Sequence, residues 1–407
     1  MPTFTPGDVS GNQTLTDDDH LYPLHINELR DAINNMLVIV DSSGNGNYTT
    51  IQDAVTALST TGGLIFVKIG NYTFTDSLSV PENISIIGEQ KDKVIILVPD
   101  NASYTNPNVF NITGDSVYLS TFTIQGNKLN QSTTISGIED STGYDNEVVS
   151  NVNLLNIHDA GIILTNSTNS KIYDNFLDGC GSRSILCKPA INATIQNNYI
   201  INGEDMGISF DTGASLNCNV TSNKIIDGVS FGIGIAGGSG HIFVSNNYTE
   251  NTTLEGIQIT TATFININNN IFVAGASSTD FGVSFDGRSV NCVGITFTNN
   301  QIMSSYKNAI AILGVSMSIF NNNIIYDSMG GGNSGDGAIS LDGLSYKNSV
   351  QNNTIIDDRT PKKHIYGISE ASGGNQNNMS NNIIIGYLTG GVNKTGANSI
   401  EVNNLLG

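Results

Sequence analysis

From about residue 137 onward, apolar side chains come in short alternating runs broken by polar turns. One phrase, Gly-Ile-any-aliphatic or Phe, recurs as "GIIL", "GISF", "GIGI", "GIQI" and "GVSF", with "AIAI" and "AISL" as variants. Alternation with period two predicts strands, and nothing in this region repeats at helical spacing. Between these runs a second phrase returns: "YDNFL", "QNNYI", "TSNKI", "SNNYT", "NNNIF", "TNNQI", "NNNII", "QNNTI", "SNNII", "VNNLL". Its key asparagines are Asn175, Asn198, Asn223, Asn247, Asn270, Asn300, Asn323, Asn353, Asn382 and Asn404, spaced by 22 to 30 residues.

Short strands at that interval predict an all-β chain: a single-stranded parallel β-helix, each coil giving one strand to each of three sheets. The asparagine column has a physical cause. A sharp bend between sheets needs φ > 0, which Asn tolerates, and side-chain amides stacked at the strand spacing bond to their copies above and below. A leucine-rich repeat would also carry an Asn ladder, but its L-x-x-L-x-L frame is absent.

These strings resemble the right-handed parallel β-helix superfamily of pectin-lyase-like and periplasmic copper-protein-D-like repeats, over residues 38–404. The segment "VIVDSSGNGNYTTIQDAVTAL…GGLIFVKIGNYTF" (38–74) is similar to the start of pectinesterases and of many phage tailspike β-helices. That resemblance implies a strand and a short amphipathic helix closing the first coil, with Ile51, Ala54, Val55 and Leu58 facing the apolar column. Before it, "DDDHLYPLHINELRDAINNML" (17–37) predicts a helix with Ile26, Leu29, Ile33 and Leu37 on one face. Similar segments precede the β-helix in phage tail and fibre proteins, which implies a homotrimer contact through residues 17–37. The expected organisation is an N-terminal helical or adaptor segment (1–37), a first-coil and cap region (38–95) and β-helix coils (96–407).

The first aliphatic of each Gly-Ile phrase defines a position zero: Ile162, Ile185, Ile208, Ile233, Ile257, Val283, Ile310, Ile339 and Ile368. Positions zero and +2 should point into the core, and −1, +1 and +3 outward. On that frame the −1 column (Gly161, Ser184, Gly207, Gly232, Gly256, Gly282, Ala309, Ala338, Gly367) and the +1 column (Ser209, Gly234, Gln258, Ser284, Ala311, Ser340, Ser369) form a trough with a small-residue floor. Three heptapeptides, "DMGISFD" (205–211), "DFGVSFD" (280–286) and "DGAISLD" (336–342), then place an acid on each rim. A straight strand would put Asp205 up to about 20 Å from Asp211. Neighbouring coils set Lys188 beside Asp211, Arg183 near Asp205 and Glu255 near Asp280.

Composition narrows the chemistry. Thirty-six acidic against 16 basic side chains give a net charge of −20, which disfavours nucleic acid and anionic membranes as partners. The four cysteines, Cys180, Cys187, Cys218 and Cys292, lack metal-ligand spacing and read as buried thiols. The opening "MPTFTPGDVSGNQTL" has no basic n-region and no apolar h-region, so either a signal has been removed upstream or an extracellular or virion location is reached by another route.

A polysaccharide is therefore the expected partner, held on the strands from Ile185 to Val283. Asp205, Asp211, Glu255 and Asp280 are the candidate catalytic acids of a tailspike-like glycoside hydrolase. Arg183, Lys188, Asp286, Asp342, Gln258 and Tyr306 are candidate substrate contacts. With no tryptophan in the chain, Tyr144, Tyr173, Tyr199 and Tyr306 are left to stack on sugars. A lyase or uronate epimerase is the alternative, with Lys188 or Arg183 abstracting a proton and Ca²⁺ held by the acids. His158 with Asp159 could titrate usefully, and His364 could mark an anionic contact. A non-catalytic adhesin or structural spike, its acids only capping turns, is the third reading. No active-site phrase of pectinesterases, polygalacturonases or pectate lyases is present, so no catalytic residue carries over from them.

Overall fold

A computed structural model describes residues 37–407 except 212, 276–280, 291, 306, 328–336 and 360–364. Most of the expected helix at 17–37, with its trimer contact, lies outside these residues, as do Asp280, Tyr306, Asp336 and His364. The described chain winds into a parallel β-helix whose three long sheets hold 15, 13 and 14 strands. Among the described residues no helix is long and apolar enough to cross a membrane.

Among the described residues there is one α-helix, α1 (Ile51–Leu58), and its buried residues are Ile51, Ala54, Val55 and Leu58. Thr50 caps it, its hydroxyl accepting from the Asp53 N–H at 3.1 Å. The helix packs on the first two strands of the 15-stranded sheet, as the resemblance implied.

Position zero forms one continuous column in the 13-stranded sheet. Ile162 pairs with Ile185, then Ile208, Ile233, Ile257, Val283, Ile310, Ile339 and Ile368 follow in unbroken register. All nine are fully buried. Burial of an apolar residue at every turn is what pins this register, because a one-residue slip would turn the column out to solvent. All four cysteines are buried free thiols.

The corner from the 15-stranded to the 14-stranded sheet contains two residues in every coil from Tyr173 to Leu405. The first has a left-handed backbone, φ between 52° and 58°, at Asp174, Asn197, Ser222, Asn246, Asn269, Asn299, Asn322, Asn352, Asn381 and Asn403. The second is the ladder asparagine. The two tasks expected of one residue are thus divided: the residue before takes the positive φ, and the ladder Asn supplies the amide. Each Asn Nδ2 donates to the next Oδ1 at 2.9–3.2 Å from Asn175 to Asn404. The same Oδ1 also accepts the backbone N–H of the preceding rung, as in Asn247 onto Asn270 at 2.9 Å.

The −1 column corrects the outward reading. A Cβ on Gly207 would meet Ile225, one on Gly256 would meet Phe272, and one on Gly282 would meet Ile302. These are core residues of the 14-stranded sheet. The chain bends sharply just before position zero, so −1 points inward at a crowded corner, and only glycine or a very small residue fits. The +1 column does face out, yet Ser209, Ser284, Ala311 and Ser369 are buried. Taller neighbours shield it: the Met206 sulfur lies where it would be 2.9 Å from a Cβ on Gly234. The expected open trough is therefore largely filled.

Candidate functional site

An opening persists where three strands of the 13-stranded sheet lie side by side: Ile162–Thr168, Ile185–Ile191 and Met206–Phe210. Here +1 is Ile163 and Leu186 instead of Ser or Gly, and these two pack with Ala160 into a small apolar cluster on the outer face, separate from the core. They belong to the lining of a cavity of about 290 Å³ that also includes Asp159, Ser182, Arg183, Lys188 and Asp211. One rim is the −3 column, Asp159, Ser182 and Asp205; the other is the +3 column, with Lys188 and Asp211 in adjacent coils. Three rim acids and two cations thus surround an apolar floor.

Arg183 joins the rims. Its Nε lies 3.3 Å from an Asp205 carboxylate oxygen and its Nη2 lies 3.3 Å from one of Asp211. Asp211 accepts a hydrogen bond from Nη2, while Nε faces Asp205 at ion-pair distance without one, so these oxygens are at most about 9 Å apart, not the 20 Å of a straight strand. The side chains are about one-third exposed, so the pairs organise the site more than they stabilise the fold. Lys188 has no ion pair within 4 Å among the described residues. Beside the cavity Lys128 pairs with Glu204 at 2.6 Å, and the buried Nδ1 of His158 has no hydrogen-bond partner.

The other candidates lie elsewhere. Glu255 is buried two coils beyond Asp205 and does not line the cavity. Gln258 stands at +1 between Gly234 and Ser284. Asp286 is bound to Arg288 at 2.6 Å, which holds its carboxyl below the usual range, chiefly through that side-chain hydrogen bond. Asp342 caps a turn, accepting from the Gly314 N–H at 2.8 Å and the Ser345 hydroxyl at 2.8 Å. Tyr173 and Tyr199 belong to the other two sheets. Among the described residues of the three heptapeptides, only those of the first therefore contribute to the cavity. Asp159, Ile163 and Leu186 were not picked out as lining residues. The signal for the floor was present: "GIIL" and "SILC" put large apolar residues at +1, where later coils do not.

Among the described residues no three His, Cys, Asp or Glu side chains converge to hold a metal.

Fold and site together define the chain as a right-handed parallel β-helix protein. The family model described as the right handed beta helix region matches residues 94–272. Among solved structures, the pre-mature bacteriophage phi29 gene product 12 is similar with a TM-score of 0.71 and 16% identity, over 94% of this chain and 57% of that one. The mannuronan C-5 epimerase AlgE6 A-module of Azotobacter vinelandii gives 0.61 and 14%, over 88% and 94%. The catalytic unit of a GH87 alpha-1,3-glucanase from Streptomyces thermodiastaticus gives 0.58 and 17%, over 86% and 65%. At these identities the likeness is one of fold. A search of curated proteins found no significant match.

Proposed function

We propose that this protein binds a polysaccharide across the outer face of the 13-stranded sheet and hydrolyses it at the Arg183 cavity, as an extracellular or virion-borne glycoside hydrolase. The observation that carries this reading is the pair Asp205 and Asp211, held by one guanidinium beside an apolar floor. A separation of at most about 9 Å is compatible with a water between two carboxyl groups, the arrangement of inverting glycosidases. One carboxyl would give its proton to the glycosidic oxygen while the other takes a proton from the attacking water. Ile163 and Leu186 would support the apolar face of a sugar ring. The names of two structural neighbours, an epimerase of mannuronan and a glucanase, add support from the same fold.

A second reading is favoured by Lys188, a cavity cation without a carboxylate partner within 4 Å among the described residues. It could take the C5 proton of a uronic acid, giving elimination or epimerisation. The two readings separate on a panel of neutral and uronate glycans scored for new reducing ends and for unsaturated, ultraviolet-absorbing ends. Hydrolysis predicts reducing ends without unsaturation, and a loss of at least about 100-fold in Asp205→Asn and Asp211→Asn. Elimination predicts unsaturated ends that vanish in Lys188→Ala. Binding without turnover in the wild type would leave an adhesin and overturn both.

A further inference from the structure

A second outlier lies at the corner leading from the 13-stranded to the 15-stranded sheet. One residue per coil has a left-handed backbone here: Asn at Asn146, Asn169, Asn192, Asn217 and Asn398, and a non-aromatic residue also at Ser116, Gly294, Met317, Lys347 and Gln376. In two adjacent coils the position is taken instead by His241 (φ 53°) and Phe264 (φ 54°). A bulky ring at positive φ is strained, because Cβ crowds the following carbonyl. Strain of this kind is ordinarily offset by burial, yet Phe264 is 56% exposed. The two rings are stacked, 5.2 Å between centroids and 16° from parallel. Phe264 also leans over the next coil, where a Cβ on Gly294 would come within 2.8 Å of the ring. Phe243, 50% exposed, stands in the neighbouring strand column between Asn219 and Asn266.

We infer that His241, Phe264 and Phe243 form a stacking platform for neutral hexopyranose units of the polysaccharide, an accessory binding site one to two coils beyond Asp211. The inference rests on the polysaccharide reading above. Three observations select this occupant. The rings offer flat apolar faces, while the Asn219 and Asn266 amides beside Phe243 can bond to hydroxyls. The three rings include no Lys or Arg, the corner column reaching Lys347 only three coils beyond Phe264, and the chain is strongly acidic, so a polyanion is disfavoured. Even with the exposed Leu216, Met317 and Ile319 included, half-exposed side chains of these sizes offer roughly 500 Å², short of the ~800 Å² that each partner of a stable protein complex buries. Strain without burial is then a device that holds the rings outward.

The decisive variant is Phe264→Asn, which installs the residue used at this corner in other coils and so relieves backbone strain instead of adding it. Wild type, Phe264→Asn and His241→Asn are run in affinity gels containing soluble β-glucan, with alginate as the polyanionic control. The expected result is wild-type retardation by β-glucan that falls at least fivefold in both variants, an unchanged or higher melting temperature, and unchanged turnover at saturating glycan. Retention equal to wild type in both variants would overturn the platform while leaving the cavity reading intact. Retardation by alginate alone would overturn the neutral-sugar assignment. A wild type retarded by neither polymer and inactive on the glycan panel would overturn both readings. Sedimentation showing a dimer that Phe264→Asn dissociates would assign the rings to a protein contact and overturn the inference.

Discussion

A single buried carboxyl illustrates how local environment sets a measurable property. Glu147 is 1% exposed; one of its oxygens accepts from the Ser170 hydroxyl, and the other has no hydrogen-bond partner. Burial outweighs that hydrogen bond and pushes its pKa up to about 7, with the charges of Asp140 and Asp145 adding to the rise. A folded-state pKa above the unfolded one means the native state holds the proton more tightly. The stabilisation is therefore complete below the ordinary Glu value, and it is lost as the pH rises to about 7 and above. Glu147→Gln, which cannot ionise, should gain melting temperature relative to wild type between pH 5 and pH 8. Parallel melting curves for the two proteins would contradict this. At the same scale, Asp205 and Asp211 could not have been paired from the sequence. The residue that joins them, Arg183, comes from the preceding coil, and a strand drawn straight overstates their separation.

The ladder shows why a polar side chain can belong in the interior of an element. Asn270 accepts from the Asn247 backbone and amide, and it donates to the Val244 carbonyl and to Asn300, at 2.9–3.0 Å. Removing it orphans groups on both neighbours in a dry interior. Asn270→Ala should cost about 2–4 kcal/mol, measured by urea unfolding. Asn404→Ala, at a partly exposed rung whose ladder bonds among the described residues run to Asn382 alone, should cost distinctly less. Equal losses would mean that the bonds do not act as a ladder. This element was legible because its spacing is written in the sequence, as was the register of position zero. The −1 column was not: a glycine crowded against Ile225 and a glycine lying open to water look the same in a string of letters. The burial of +1 was equally hidden, since Met206 reaches Gly234 from another strand.

Across the whole molecule, stability should be distributed as a sum over coils and their stacking contacts. Excising residues 233–256 would set Ile257 directly on Ile208 and Gly232 in the place of Gly256. The shortened protein should fold, with an unchanged β-sheet signal per residue in circular dichroism, and retain cavity activity while losing the ring pair. An unfolded product would show that the coils are not interchangeable. The two-residue corner between the 15- and 14-stranded sheets has a wider meaning in this light. Connections elsewhere in the coil vary freely: Thr260 reaches Asn266 across five residues, whereas Asp286 reaches Thr296 across nine. Both variable connections flank the 13-stranded sheet. The tight corner behaves as a spine, keeping the turns aligned whatever is spliced in opposite. New loops can be fitted on either side of the 13-stranded sheet without disturbing the frame that carries them.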